Sequence, residues 1–311
     1  CFDIDLKNQL LESELDIRRT GEQKNYLNDR TLSPWNDFLR IASRRSRPDL
    51  LIKDEMKEEA LKKVLRADNN ELFHRYLTEG IDVEVRTSEG IRGKKVYIAD
   101  FDQPENNELL VINQFTVIEN NQNKRPDIIL FLNGLPIVVI ELKNAVNESA
   151  TIKTAFNQLQ TYKQAVPSLF IYNELLIVSD GWDTGCGTIT SDWSRFSGWK
   201  TRDGKNTADT LSVQMEVMVN GMLNKKTLFD LLRHFIVFEK SKEKTLKKVA
   251  AYHQYYAVNK AVATTQEAAQ DAGNRRGGVI WHTQGSGKSL SMVFYTGKLV
   301  LVLDNPTIVV L

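Results

Sequence analysis

The chain has 311 residues, of which 41% are hydrophobic and 26% are charged, and its formal net charge is +1. This length allows two domains and certainly a substantial core. The composition is that of a globular protein, and no apolar run is long enough to span a bilayer, so we expect no membrane segment. A nearly neutral chain is not expected to coat nucleic acid nonspecifically. Any contact with nucleic acid must therefore use local basic patches.

Three segments are rich enough in Lys and Arg to form such patches: residues 40–47, 195–205 and 240–248. Phe196 and Trp199 interleave the basic residues of the second segment, as is typical of surfaces on which bases stack. A charge run is more often a solvated face, and that alternative stays open. The two cysteines, Cys1 and Cys186, are too few for a disulfide framework or a zinc site. The first residues show no signal-peptide pattern, so we expect a reducing, cytoplasmic location.

Helical patterns begin the chain and strand patterns follow. Apolar spacing predicts a helix over residues 54–66, at the end of an N-terminal helical region. Asn69 and Gly80 are typical caps for a second amphipathic helix, and Glu71 in its first turn is ordinarily explained by the helix dipole. Three strand patterns then predict a meander: residues 83–86, 95–101 and 109–118.

Residues 125–143 read RPDIILFLNGLPIVVIELK, and they carry the strongest signal in the chain. Two apolar, β-branched runs flank Asn133 and Gly134, a pair that tolerates positive φ and marks a tight turn. The segment therefore predicts a β-hairpin whose strands are buried on both faces.

Asp127, Glu141 and Lys143 are charged residues within this apolar hairpin. Because side chains alternate along a strand, Glu141 and Lys143 share a face, and the opposite strand can bring Asp127 beside them. Two carboxylates with an open position suit Mg²⁺, which keeps several waters, and a nearby Lys can stabilise developing charge or help deprotonate a nucleophile. The alternative is a structural ion pair at a strand end.

The register of the hairpin decides whether these groups can meet. A plain two-residue turn at Asn133 and Gly134 would pair Asp127 with Ile140 and turn it away from Glu141. We therefore predict an odd-length loop, a bulge, or strands that diverge near Asp127, with the two carboxylates close enough to share one cation.

The next pattern is a helix over residues 152–166 that Pro167 ends. Gln158 and Tyr162 lie four residues apart and so project from one side, which is ordinarily explained by core packing. A strand is expected at residues 174–179, a loop-rich stretch follows, and helical patterns resume over residues 208–232. A domain boundary is expected at the lysine-rich segment that follows residue 239.

A second motif, GSGKS, lies between an expected strand at residues 277–283 and an expected helix. Backbone N–H groups of such a turn cradle a triphosphate at a helix N-terminus, while the Lys contacts the β- and γ-phosphates and the Ser ligates Mg²⁺. His282 stands where the strict pattern has its first glycine. The predicted ATP-binding residues are Gly285, Ser286, Gly287, Lys288 and Ser289.

The hairpin motif resembles the PD-(D/E)xK nuclease core, with Pro before Asp127 and Glu-x-Lys beginning fourteen residues after it. In that core the acidic pair binds the metal and the Lys assists phosphodiester hydrolysis. The following Gln-x-x-x-Tyr is similar to the exonuclease-like branch, where the residues matching Gln158 and Tyr162 support the active site and DNA contact. Such cores often bring an upstream acid toward the metal, which makes Glu71 a further candidate.

Residues 251–262, AYHQYYAVNKAV, resemble the segment before the phosphate loop of superfamily 2 helicases. That resemblance implies that Gln254 reads the adenine edge, although Gln254 also fits a polar position on an amphipathic helix. Together, the order of motifs closely resembles the motor and nuclease subunit of type I restriction enzymes. The resemblance implies DNA translocation driven by ATP and cleavage of double-stranded DNA, in a complex with specificity and methyltransferase subunits.

The expected fold class is α/β: a nuclease-type mixed sheet flanked by helices, followed by the beginning of a RecA-like helicase domain. The expected domains are a helical region (1–68), the nuclease (69–239) and the truncated ATP-binding domain (240–311). Because no Asp-Glu box or arginine finger follows the phosphate loop, we expect an N-terminal fragment that is not a working motor. The alternatives are a helicase-nuclease of repair and recombination, and a noncatalytic DNA-binding module.

Overall fold

The computed structural model describes residues 54–87, 90–144 and 151–309. The α-helices are α1 (Asp54–Leu65), α2 (Asn70–Glu79), α3 (Ile152–Ala165), α4 (Pro167–Ile171), α5 (Gln214–Val217), α6 (Lys225–His234), α7 (Tyr252–Ala269) and α8 (Lys288–Val302). The strands are β1 (Ile81–Thr87), β2 (Gly90–Val96), β3 (Leu109–Asn113), β4 (Val117–Glu119), β5 (Gln122–Lys124), β6 (Ile128–Leu132), β7 (Leu135–Leu142), β8 (Leu175–Ser179), β9 (Thr184–Gly187), β10 (Ile236–Lys240) and β11 (Thr245–Val249). Short 3₁₀ turns span Pro104–Asn106 and Trp193–Arg195, and a π-helix spans Met218–Met222.

A five-stranded mixed sheet in the order β3-β6-β7-β8-β9 forms the centre of the fold. The β6–β7 hairpin is antiparallel, as are the pairs on the outer sides of the sheet, whereas β7 and β8 are parallel. A parallel connection needs a crossover, and α3 and α4 provide it. Every residue of β6 is buried, as are all but the last of β7, which agrees with strands covered on both faces.

The two faces of the sheet pack against different helices. Ile129, Val139 and Val178 face α3 and α4 in one apolar cluster, together with Ala155 and Leu159 of α3. The opposite face belongs to a larger cluster that contains apolar residues of α1, α2, α6, α7 and α8. Where a strand is regular, residues an even number of positions from Ile129 or Val139 therefore point toward α3, and their immediate neighbours point away from it. A polar residue at such an even spacing also faces α3.

Several predicted elements are confirmed at nearly the expected bounds. The helices α1, α2 and α3, the β6–β7 hairpin and β8 all lie where their patterns indicated. Asn69 caps α2 by accepting a hydrogen bond from the amide of Leu72 at 2.8 Å, and Gly80 ends that helix with a positive φ of 79°. The expected helical region 1–68 is described only from residue 54, and the basic segment 40–47 lies outside the described residues.

The predicted meander is wrong. Strand β2 covers Gly90–Val96, whereas residues 97–101 are not in a strand. Among the strands that the structure describes, β1 pairs only with β2, in a separate two-stranded sheet. The segment 109–118 is two strands, because Gln114 has a left-handed φ of 54° that interrupts them. Alternation of apolar residues continues through such a turn, so the pattern alone did not reveal the break.

Two further expectations for regular structure are wrong. The segment 208–232 is helical only from Gln214, and a π-helix and a short turn interrupt it. Residues 277–283 are not in a strand, and Val279 and Trp281 are both 90% exposed. Within the described residues no other strand pairs with that segment, so its backbone lacks the ladder partners that a strand requires.

The lysine-rich segment, where a domain boundary is expected, is part of a β-hairpin. It comprises the end of β10, the turn and most of β11, and Lys247 in β11 is completely buried. The predicted boundary at residue 239 therefore falls inside a hairpin that is anchored in the fold. Among the helices that the structure describes, none combines the length and hydrophobicity that crossing a bilayer requires.

Candidate active site and nucleotide-binding loop

The β6–β7 hairpin has a two-residue turn and a bulge. Asn133 and Gly134 both have positive φ, 47° and 85°, as a type I′ turn requires. Phe131 pairs with Pro136 but Leu130 pairs with Val138, so Ile137 is an extra residue in β7. Beyond the bulge Ile128 pairs with Ile140, and the same register places Asp127 opposite Glu141. The predicted correction of the register is thus confirmed, and it takes the form of a bulge.

Three donors hold Asp127 in place. Gln114 donates from its side-chain amide to Oδ1 at 2.7 Å and from its backbone N–H to the Asp127 carbonyl at 2.8 Å. The backbone N–H of Leu142 donates to Oδ2 at 2.9 Å. Each carboxylate oxygen can accept more than one bond, so both retain capacity for a further ligand.

Glu141 is almost inaccessible, with 1% of its surface exposed. Burial, reinforced by the negative charge of Asp127, raises the pKa of Glu141 to about 8, although Lys143 opposes the shift. The hairpin register places Asp127 opposite Glu141, so the two carboxyl groups are neighbours. With both ionised, the buried Oε2 of Glu141 has no hydrogen-bond partner among the described residues.

A chain of hydrogen bonds links Lys143 to α3. The amine of Lys143 contacts Oε1 of Glu141 at 3.2 Å and donates to Oε1 of Gln158 at 2.6 Å. Gln158 then donates to the hydroxyl of Tyr162 at 2.5 Å. Burial raises the pKa of Tyr162, so its phenol is neutral at physiological pH. Gln158 and Tyr162 therefore orient the amine of Lys143 beside the two carboxylates, and Tyr162 also packs in the apolar cluster between α3 and the sheet.

The residues present fit a hard divalent cation. Two adjacent carboxylates and a buried oxygen without a partner are what Mg²⁺ or Mn²⁺ would compensate. No group of three or more acidic, His or Cys side chains suited to a metal occurs in the part of the chain that the structure describes. Two protein ligands agree with the preference of Mg²⁺ for keeping several waters.

Glu71 is not part of this group, contrary to expectation. It pairs with Lys240 at 2.8 Å, and its neighbour Asn70 is bound to the carbonyl of Asn173 just before β8. Strands β7 and β8 are parallel, and the start of β8 lies beside Ile137 of β7. Glu141 is four residues after Ile137, so it lies about 13 Å along β7 from the level at which Asn70 binds. The N-terminus of α2 is thus held near the N-terminal ends of β7 and β8, whereas Glu141 lies near the C-terminal end of β7.

Two aromatic residues expected in a basic surface belong instead to the packing of the fold. Trp199 is 2% exposed and its ring contacts that of Tyr255 of α7, with centroids 5.6 Å apart. Phe196 packs edge to face against Phe156 of α3 at 5.1 Å. The interleaving of aromatic and basic residues in 195–205 therefore does not form a base-stacking surface.

The predicted phosphate loop leads into α8. Gly285 and Gly287 have positive φ, and Gly287 is the N-terminal cap of α8, so Lys288 and Ser289 occupy its first turn. The amine of Lys288 folds back to the carbonyls of His282 and Thr283, both at 3.1 Å. Lys288 thus lies over the loop, where a phosphate group could take the place of these carbonyls.

Gln254 of α7 contacts the same loop. Its amide donates to the carbonyl of Gly287 at 3.0 Å, and its Oε1 accepts from the backbone N–H of Ala251 at 2.9 Å. A Cβ on Gly287 would lie 2.6 Å from the amide nitrogen of Gln254, so this close approach requires glycine. Both polar atoms of Gln254 therefore bind within the protein, and its expected contact with adenine stays a prediction.

The sequence patterns missed two residues in these sites. Gln114 follows a strand as an ordinary polar residue, and no local signal reveals that it contacts Asp127. His253 contacts the carbonyl of Ser286 through Nε2 at 3.1 Å, and its ring packs against His282. His253 is adjacent to Gln254 in the segment that was singled out, so its proximity to the loop could have been inferred.

Comparison with known proteins gives two family matches. Residues 6–195 match the type I restriction enzyme R protein N terminus, and residues 253–311 match the SWI2/SNF2 ATPases. The chain belongs to the type I restriction enzyme R protein family. The expected fold class is confirmed by the five-stranded mixed sheet with its helices and by these two matches, the second of which marks the start of an ATPase region.

Relatives among the type I restriction enzymes are found in bacteria and archaea. The chain is 44% identical over 268 residues to the type I restriction enzyme HindI endonuclease subunit of Haemophilus influenzae, covering 84% of this chain and 25% of that subunit. It is 32% identical over 273 residues to the putative type I restriction enzyme MjaIXP endonuclease subunit of Methanocaldococcus jannaschii, covering 79% and 26%. This R protein chain thus spans about a quarter of the length of these relatives.

Proposed function

We propose that this chain carries the DNA-cleaving site of a type I restriction endonuclease, a Mg²⁺-dependent nuclease of the PD-(D/E)xK type. The observation that carries the proposal is the bulge at Ile137, which brings Asp127 opposite Glu141 on the face where Lys143 meets α3. The relatives are themselves named endonuclease subunits. That name favours a restriction function over a repair helicase-nuclease.

Each side chain has a distinct part in the proposed reaction. Asp127 and Glu141 would hold Mg²⁺, which when bound polarises the scissile phosphate and makes a water more acidic. Lys143 is placed to stabilise negative charge that develops on the phosphate or to assist loss of the proton from the water. Gln158 restrains the Lys143 amine, so that it reaches the reacting phosphate with little loss of rotamer freedom.

The proposal includes ATP and the partners of the complex. Residues 285–289, with Gln254 and His253 behind them, would bind the triphosphate of ATP, and Lys288 would exchange its carbonyl contacts for the phosphates. We further propose that the substrate is double-stranded DNA and that the chain acts with specificity and methyltransferase subunits, in the cytoplasm. These functions belong to the whole R protein.

Substitution of the hairpin residues tests the nuclease proposal. In the assembled complex, Asp127→Ala and Lys143→Ala are expected to abolish Mg²⁺-dependent cleavage while ATP hydrolysis continues, because neither residue contacts the phosphate loop. The exposed Lys153 at the start of α3 provides a matched control, and Lys153→Ala should cleave normally. Undiminished nicking by both hairpin variants would refute the assignment. Metal binding without cleavage by the wild type would favour a noncatalytic DNA-binding module.

A further inference from the structure

Gln114 has a backbone conformation that its residue type rarely adopts. It follows the last residue of β3 with a φ of 54°, in the left-handed region that favours glycine and asparagine. The next residue, Phe115, packs edge to face against Phe131 of β6, with centroids 5.4 Å apart. This aromatic contact and the pairing of β3 with β6 hold the turn in place, so the surrounding structure supports the unfavourable conformation.

The consequence of this turn is a two-point contact with Asp127. The backbone N–H of Gln114 donates to the Asp127 carbonyl at 2.8 Å, and its side-chain amide donates to Oδ1 at 2.7 Å. Asn113 pairs with Ile128, so Gln114 continues the ladder opposite Asp127 and its side chain lies on the same face. Leu142 donates to the other carboxylate oxygen. Among the described residues, Gln114 is thus the side chain that donates to this carboxylate and fixes its rotation.

We propose that Gln114 is a positioning residue for Asp127 and that it sets the affinity of the carboxylate pair for a divalent cation. This inference rests on the proposed metal-dependent nuclease function. An amide donor on a metal-binding carboxylate restricts its orientation, and loss of such outer contacts typically weakens metal binding by about 10- to 100-fold. Gln114 is itself exposed, so it acts on the cation only through Asp127.

Two substitutions separate the side-chain contact from the backbone turn. Gln114→Met retains the length of the side chain but has no donor. Gln114→Gly also removes the donor, but it relieves the left-handed backbone, so lost affinity in this variant cannot come from added strain. Gln122→Met, at an exposed glutamine on β5, is the matched control.

The readout is Mn²⁺ binding to the full protein without nucleotide, followed by electron paramagnetic resonance of the free ion. Asp127→Asn defines the part of the binding that depends on the candidate site. Both Gln114 variants are expected to weaken that component by about 10-fold, and Gln122→Met should not change it. In the assembled complex the Gln114 variants should need more Mg²⁺ for half-maximal cleavage and recover nearly wild-type rates at saturating Mg²⁺. A purely structural role would lower the folded fraction without changing the Mg²⁺ requirement.

The outcomes distinguish this inference from the function on which it rests. If the wild type shows no Mn²⁺ binding that depends on Asp127, the metal-dependent function itself fails. If that binding is present and Gln114→Met and Gln114→Gly retain wild-type affinity, only the role of Gln114 is overturned.

Discussion

Glu141 presents an ionisable group in a setting that disfavours its charge. Burial and the adjacent Asp127 raise its pKa to about 8, against an ordinary value of 4.5. Without a cation, the folded protein therefore binds a proton at Glu141 at pH values where the unfolded chain has lost it. A stabilising proton of this kind is lost as the pH rises, so the free energy of unfolding should fall between about pH 5 and about pH 8.

We predict that Glu141→Gln removes this component of the pH dependence. Glutamine is neutral throughout the range, so the melting temperature of the variant relative to the wild type should increase as the pH is raised toward about 8. Thermal unfolding of both proteins in the presence of a chelator measures the difference. A difference in melting temperature that stays the same across the range would contradict the raised pKa. The same variant should lose cleavage, because one of the two proposed metal ligands is gone.

Candidate site residues could be predicted from the sequence where a charged or polar motif falls on a strand or helix whose apolar spacing shows which way its side chains point. Asp127, Glu141 and Lys143 stand out as charges in an apolar hairpin, and helical spacing places Gln158 and Tyr162 on one side. Contacts set by tertiary structure could not be predicted in this way. Glu71 has the right chemistry, but the position of α2 takes it toward the N-terminal ends of β7 and β8, and Gln114 reaches Asp127 only through an unusual turn.

The β10–β11 hairpin shows how tertiary structure overrides local composition. Lys247 and Lys248 are adjacent in a strand that reads as solvated, yet Lys247 is fully buried beside Glu174 at 2.6 Å. Its amine also donates to Oδ1 of Asn70 and to the carbonyl of Asn173. Burial alone would raise the pKa of Glu174, but the charge of Lys247 and the contact with His74 lower it, so the carboxylate is ionised.

We predict that Lys247→Met lowers the free energy of unfolding by about 3–5 kcal/mol, because it leaves a buried carboxylate without its principal cation. Adding Glu174→Gln should recover much of the loss, since the uncompensated charge disappears. Lys248→Met is the control, because the Lys248 and Glu239 pair lies at the surface and should contribute little. Chemical denaturation compares these three variants with the wild type. Equal losses for the two lysines would contradict a structural role for the buried pair.

A helix or strand could be predicted where its own sequence contains signals for both of its ends and a regular spacing of apolar residues. The helix α2 has a cap at each end, and α3 begins and ends where its apolar stripe does. The break of β3 from β4, the strand β11 with its buried Lys247, and the exposed segment 277–283 could not be predicted, because each depends on which partner packs or pairs with it. A strand in particular is defined by its neighbours as much as by its residues.

At the scale of the whole molecule, the two candidate sites use separate side chains. The carboxylate pair lies on the central sheet facing α3, whereas the phosphate loop is held by α7 and begins α8. The order of the two motifs along the chain predicted the restriction enzyme family, which the comparisons confirm. How the domains divide stays a prediction.

We predict that Lys288→Ala abolishes ATP hydrolysis and ATP-driven translocation by the complete R protein, since the phosphates lose their principal cation. The Mn²⁺ binding that depends on Asp127 should be unchanged. ATPase assays and metal titration on the same preparation check both statements, and Lys260→Ala, at an exposed lysine on α7, is the control. Hydrolysis that persists in Lys288→Ala would exclude the proposed role of the loop.

Because of the extra residue Ile137, the number of residues between Asp127 and Glu141 decides whether their side chains lie on the same face of the sheet. With a two-residue turn, an even ladder would put these side chains on opposite sides of the sheet, and one odd residue restores them to the same side. Loss of the bulge, or gain of one residue in the turn, would place the two side chains on opposite faces. Both changes together would keep them on the same face. Relatives can therefore differ in turn length at this hairpin only in steps of two, or by exchanging a bulge for a loop residue.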